Sequence, residues 1–338
     1  MKRLICLMAS AGLLGGAQWS TPVPIPGNPV IAHGGGGWKD SQIQEPAVMI
    51  DPGNSAQLIT YFAAMGPPVM YGKMCIGRAT APVSHPTQWT EYAGNPILCD
   101  VSRRLNAVQY AGGTFYLYTS NVNSRTIDVS TSTDGIHFPS TTVALTVTGQ
   151  GRTDGVNVVT GSVLHDPDTG IWHMYYGWQP TSTAKIPGIR HATSSNGITW
   201  TKQGTGDIFS IEPGTYWSDQ IEWSQALKIG GIYFLTIGGF NAAGDWTTDI
   251  LYSTSPDSGW TASPCNPVFD LFSTGFIVST GAFYQAGSEW YLVYQIATKG
   301  GDYNTKNWDL DVATTLSPLA AVPSSAVFSG VSMEGITQ

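Results

Sequence analysis

Charge is what this 338-residue chain has least of: 15 Lys and Arg stand against 23 Asp and Glu, only 11% of the residues, with a formal net charge of −8. No run of Lys and Arg interrupts that scarcity, which excludes a surface that tracks phosphates and removes nucleic acid from the expected partners. Cysteine is scarce too. Cys6, Cys75, Cys99 and Cys265 fall in no C-x-x-C or zinc-ligand spacing, so a thiol-held metal is not expected. The D-x-G turns lack the spacing of a calcium loop. His33 precedes a glycine run, Gly34 to Gly37, but no Lys-Ser/Thr and no strand-to-helix pattern follow, so a phosphate loop is rejected. No metal and no cofactor is expected.

Long apolar runs are missing as well. The first residues, "MKRLICLMASAGLLGGAQ", carry a basic start at Lys2 and Arg3 and an apolar middle, which stops short of the ~20 residues of a membrane span. Gly15 and Ala17 then occupy the −3 and −1 positions of a cleavage site. That three-part pattern predicts a secretory signal over residues 1–17 and a secreted or periplasmic protein. Removal of the signal takes Cys6 with it. An exported chain can close a disulfide, with Cys75–Cys99 the shortest candidate and one odd thiol left over.

What the chain does have is 40 Gly, 21 Pro and many Thr, Ser, Trp and Tyr, the composition of turns and strands. One sentence recurs in "IGRATAPVSHPTQW" from Ile76, "IDVSTSTDGIHF" from Ile127, "GIRHATSSNGITW" from Gly188 and "ILYSTSPDSGW" from Ile250. Ahead of each lies a hairpin of an apolar strand, a tight turn and an aromatic strand. These hairpins begin at Glu45, Leu105, Gly161 and Ser224, and a fifth begins at Gly281, a period of about 60 residues. Such a period belongs to radial or solenoid repeats. With a third strand and a fourth near the "NPV" or "NPI" motifs, each unit makes four antiparallel strands. The expected fold is all-β, a single five-bladed β-propeller over residues 18–338, with Trp200 packing between blades.

Propeller ligands enter the central channel at the starts of the inner strands. Aligning the hairpins puts Glu45, Arg104 and Leu105, Thr160, Glu222 and Ser224, and Thr280 in that ring. Two carboxylates facing each other across a channel can serve as base and acid on a glycosidic bond. Glu222 lies among Ile221, Trp223 and Trp217, apolar surroundings that raise a carboxyl pKa toward what a general acid needs. Asp40 and Asp219, each just ahead of an inner strand, are candidates for binding sugar hydroxyls, with Arg104 beside them. Trp178, Trp217 and Trp246 are candidate stacking platforms, or fillers between blades. Asp166 and Asp168 sit in a hairpin turn, where Asp is an ordinary turn former, and receive no catalytic role.

In "EWSQALKIGGIYFL" from Glu222 and "EPAVMID" from Glu45, the chain resembles the five-bladed propeller glycosidases related to glycoside hydrolase family 43, the arabinanases, arabinofuranosidases and xylosidases. The resemblance implies an enzyme that hydrolyses a polysaccharide or oligosaccharide, a pentose-type linkage being favoured, with Glu222 as general acid. Glu45 would be the base, where the family usually has Asp. The chain departs from the family at two places: "TGSVLHD" has Thr160 where an acid-tuning Asp is expected, and "STGAFYQ" lacks the usual His. Asp154, just upstream of Thr160, is the candidate substitute for the missing carboxylate. Those departures keep a second reading open, a propeller that binds carbohydrate without cleaving it.

Overall fold

The structure, a computed structural model, describes residues 19–35, 37–66, 74–100, 103–121, 123–182, 184–215, 217–241, 243–298 and 307–323. The candidate signal, residues 1–17, lies outside them. Five antiparallel sheets account for the fold, and the only helical pieces among the described residues are two 3-10 turns, Phe272–Thr274 and Pro318–Ala321. No described helix is long and apolar enough to cross a membrane. The expected five-bladed propeller is what the chain forms.

The inner strands of the five blades are Gln42–Asp51, Arg103–Ala111, Asn157–His165, Gln220–Ile229 and Phe276–Ala286. They touch one another in cyclic order, first to second and onward until the fifth meets the first. Each turns tightly into its aromatic second strand; Gly112–Gly113 and Gly230–Gly231 hold positive φ throughout, the geometry that a two-residue hairpin needs and only glycine adopts freely. The third strands, such as Gly188–Ser194 and Trp246–Ser253, follow in order.

The recurring sentence is an inter-blade joint. Tyr118 Oη of the second blade donates to the carbonyl of Gly197 in the third (2.6 Å), and Trp200 packs edge-on against the same tyrosine. Tyr175 repeats this on Pro256 and Trp260, and Tyr284 on Pro86 and Trp89. Trp200 is 1% exposed, so truncation to Ala should cost roughly 3–5 kcal/mol. The "NP" motifs have a matching role: the side-chain amides of Asn28, Asn95 and Asn266 each bond both the N–H and the carbonyl of one third-strand residue, Val312, Arg78 and Ile250 respectively. A planar amide thus stands in for a strand neighbour.

Ring closure comes from the chain start. Val23–Pro24 pairs with Asp309–Thr315 and supplies the outermost strand of the fifth blade. His33 adds a second tie through Asp309, its backbone N–H at 2.7 Å and its Nδ1 at 2.6 Å from Oδ1. Cys75 and Cys99 face each other on adjacent strands and form the expected disulfide. In this uncleaved chain none of the described cysteines is free.

Candidate active site

All five inner strands break register at one level. The slips fall between Gln44 and Ala47, Leu105 and Ala107, Val159 and Gly161, Glu222 and Ser224, and Val278 and Gly281. An extra residue in a strand bends it and re-aims its side chain, a device concentrated at barrel rims and active sites. The ring expected from the hairpins, Glu45, Arg104 and Leu105, Thr160, Glu222 and Ser224, and Thr280, coincides with these bulges or lies next to them.

Glu45 is the most constrained member. Its φ is +56° although it is not glycine and precedes proline, a conformation that costs of order 1–3 kcal/mol and persists where surroundings impose it. Two contacts do so: its backbone N–H donates to Gln295 Oε1 at 2.9 Å, and Arg104 Nε donates to its Oε1 at 2.8 Å. The Glu45 side chain is 2% exposed, so this ion pair is shielded from water on the carboxylate side.

Glu222 stands within electrostatic reach of both. Gln220 Nε2 donates to Oε1, whereas Oε2 is buried without a hydrogen-bond partner. Burial of that carboxyl raises its pKa to about 8, the negative charge of Glu45 adds to the rise, and Arg104 and Lys185 pull the other way. The residue as a whole keeps some exposure, so a closed-off oxygen sits on a side chain that solvent still reaches. The arrangement is a carboxyl whose pKa burial raises, beside a second carboxyl paired with arginine, an asymmetry of the kind acid–base chemistry uses.

Lys185 forms an ion pair with Asp219 and lies 4.9 Å from the centre of the Phe240 ring. Asp219 therefore flanks the site next to Gln220 and Glu222, with its carboxylate engaged by lysine. A cavity of about 130 Å³, lined by all five inner strands, includes Glu45 and Asn106 in its walls.

The remaining candidates are engaged in structural contacts. Asp154 is fully buried and surrounded by Arg152, Arg190, Lys202 and the hydroxyl of Tyr176. Burial would raise its pKa, but Lys202, Arg190 and Arg152 outweigh that and hold it below the usual carboxylate range. Those partners lie in and around the outer strands of the third blade, and the structure does not bring Asp154 to Glu45 and Glu222. Trp178 donates to Asp207 at 2.8 Å and has the Arg190 guanidinium 3.6 Å above its ring, so that face is taken. Trp217 and Trp246 are each 5% exposed in apolar clusters, which makes them fillers and not platforms. Asp40 caps its own loop by accepting from Gly37 N at 2.8 Å. Asp166, as expected, orders its turn by accepting from Asp168 N, and also grips Lys228 and Tyr233 of the next blade.

Sequence reasoning missed Asn106, Lys185, Gln220 and Gln295. Asn106 had a usable signal, being adjacent to Leu105 at the ring level; the others reach the site only through tertiary folding.

No protein-family model matches the sequence, and no curated protein matches it. Solved structures do. An α-L-arabinofuranosidase from Podospora anserina, in complex with cellotriose, superposes with a TM-score of 0.62 at 14% identity over 90% of this chain and 98% of that one. A thermostable family-43 glycoside hydrolase gives 0.59 at 15% identity over 85% and 91%. A β-1,2-mannobiose phosphorylase from Listeria innocua, in complex with β-1,2-mannobiose, gives 0.60 at 11% identity over 90% and 99%. At such identities the likeness establishes the five-bladed fold, and function must be argued from the site.

Proposed function

We propose that the protein is a secreted glycoside hydrolase in which Glu222 is the general acid and Glu45 the general base, acting on a pentose-type linkage of a polysaccharide or oligosaccharide. The observation that carries this reading is the pair itself: a buried carboxyl kept protonated near neutral pH within reach of an arginine-paired carboxylate, both at the bulge level of the channel. Water bound to Glu45 loses a proton to the carboxylate as its oxygen bonds the anomeric carbon. Glu222 delivers its proton to the departing glycosidic oxygen, and the bond between that oxygen and the anomeric carbon breaks. Arg104 pairs with Glu45 and, by its charge, limits how far the pKa of Glu222 rises. The pentose preference follows the family resemblance; the arabinofuranosidase neighbour agrees with it and the mannobiose phosphorylase does not.

One observation favours the runner-up, a non-catalytic carbohydrate-binding propeller. Thr160 occupies the third-blade bulge where the resemblance calls for a carboxylate, and Asp154 is committed to structural partners. Glu222→Gln separates the two. Turnover of glycosides with poor leaving groups should fall roughly 10²–10⁴-fold while binding survives, and nitrophenyl glycosides should lose less. Wild-type protein that binds oligosaccharide but cleaves none of a broad pentoside and hexoside panel is a binder. Export is tested by mass spectrometry of the secreted protein, which should begin near Gln18.

A further inference from the structure

We propose that Asn106 is a sugar-binding residue, its side-chain N–H₂ donating to a hydroxyl oxygen of the ligand held beside Glu45; the inference rests on the carbohydrate reading of the site. Asn106 is the bulge residue of the second blade, skipped between Leu105 and Ala107, and lines the cavity together with Glu45. Ser120 Oγ donates to its Oδ1 at 3.0 Å, and the amide nitrogen is the end left over. That nitrogen is buried and has no hydrogen-bond partner.

The other polar side chains of the lining are already occupied. Gln109 Nε2 donates to the Val163 carbonyl at 2.8 Å, and Gln225 bonds both backbone groups of Phe283 at 2.7 and 2.9 Å. Ser162 Oγ accepts from Ala226 N at 2.5 Å. A buried donor without an acceptor is costly in a folded protein, so an unmatched one on a residue that lines a cavity points to a ligand that supplies the acceptor.

The pairing with Glu45 selects the ligand's chemistry. Asn106 Nδ2 offers only a donor and an ionised Glu45 only an acceptor. An anion would satisfy the amide but offers Glu45 no donor, and an ammonium group offers nothing for the amide to bond. A hydroxyl does both, and neighbouring sugar hydroxyls can address the two residues at once.

The test is calorimetric titration of the Glu222→Gln protein with pentose oligosaccharides and their monodeoxy analogues, with and without Asn106→Ala. Asn106→Ala should weaken oligosaccharide binding about tenfold, the size of a lost hydrogen bond. For one deoxy analogue, the one lacking the hydroxyl in question, it should cause no further loss. Its melting temperature should change little, because the unmatched donor and the acceptor for Ser120 Oγ are removed together. Ser120→Ala, which releases the amide, should weaken binding by a smaller factor and guards against a folding defect in the first variant. Equal weakening for every analogue, accompanied by a lower melting temperature, overturns the proposal in favour of a structural role. The two readings fail separately. Protein that cleaves nothing but binds in an Asn106-dependent way sinks the hydrolase and keeps this site. Cleavage with kcat/KM unchanged in Asn106→Ala does the reverse.

Discussion

Between the third and fourth blades, His173 and His191 stack at 5.2 Å with Nδ1 of one 3.0 Å from Nε2 of the other. Both rings are nearly sealed from solvent, at 4% and 1% exposure. Burial, reinforced by the neighbouring ring, pushes the His191 pKa down to about 3, against a partial pull upward from Asp257. His173 is lowered too, by burial and Lys228, with Asp166 and Asp257 opposing. In the unfolded chain histidine titrates near 6.5. Between about pH 6.5 and 3, then, the unfolded state binds protons that the folded state refuses, and stability must fall as pH falls through that window. For His191 alone the slope approaches ~1.4 kcal/mol per pH unit, which amounts to ~2.3 kcal/mol between pH 6.5 and 4.5. Glu222, Asp249 and Asp311, whose pKa values are raised by burial, act in the opposite sense over part of the range. The readout is therefore a difference: urea unfolding of wild type and His191→Phe at pH 7, 6, 5 and 4.5. At pH 7 the variant should be less stable by about 1 kcal/mol, having lost the bond to His173. The gap should close and invert as the pH drops. Parallel stability curves for the two proteins would refute the assignment.

Asp154→Asn should cost about 3–5 kcal/mol, because Arg152, Arg190 and Lys202 lose their buried counter-charge. Turnover per folded molecule should not change, and a large rate loss at retained stability would return Asp154 to the catalytic candidates. Replacing Cys75 and Cys99 by serine should lower stability by roughly 3 kcal/mol, the loop-entropy value for a sequence separation of 24. An unchanged denaturation midpoint would show that the bridge does not constrain the unfolded chain.

The blades were legible because their signals are local. Alternating apolar strands joined by Gly-Gly or Asp-Thr-Gly turns announce hairpins, and five at a steady period announce a ring. Trp200 was legible for the same reason, as a repeated residue after a repeated turn. The ring level was legible to within a residue or two, since a propeller's inner strands start in register. The N-terminal strand that closes the fifth blade was not, because two residues such as Val23–Pro24 carry no periodicity. Nor was the direction of Asp154: nothing adjacent to it reveals that Arg190 and Lys202, dozens of residues later, converge on it. Trp178 illustrates the same limit. An indole suited to sugar stacking and an indole covered by Arg190 are identical in sequence.

The most direct test of the Glu222 and Glu45 assignment is the pH dependence of kcat/KM on an unactivated pentoside. This quantity reports the free enzyme's essential acid, and in the free protein Glu222 is raised to about 8. The rate should hold up to that pH and then fall tenfold per unit, while a nitrophenyl pentoside, which needs little protonation, should show a shallower fall. A rate that stays level or climbs through pH 9, or one that is lost as pH rises through the ordinary carboxylate range near 4.5, would contradict a protonated Glu222 as the acid.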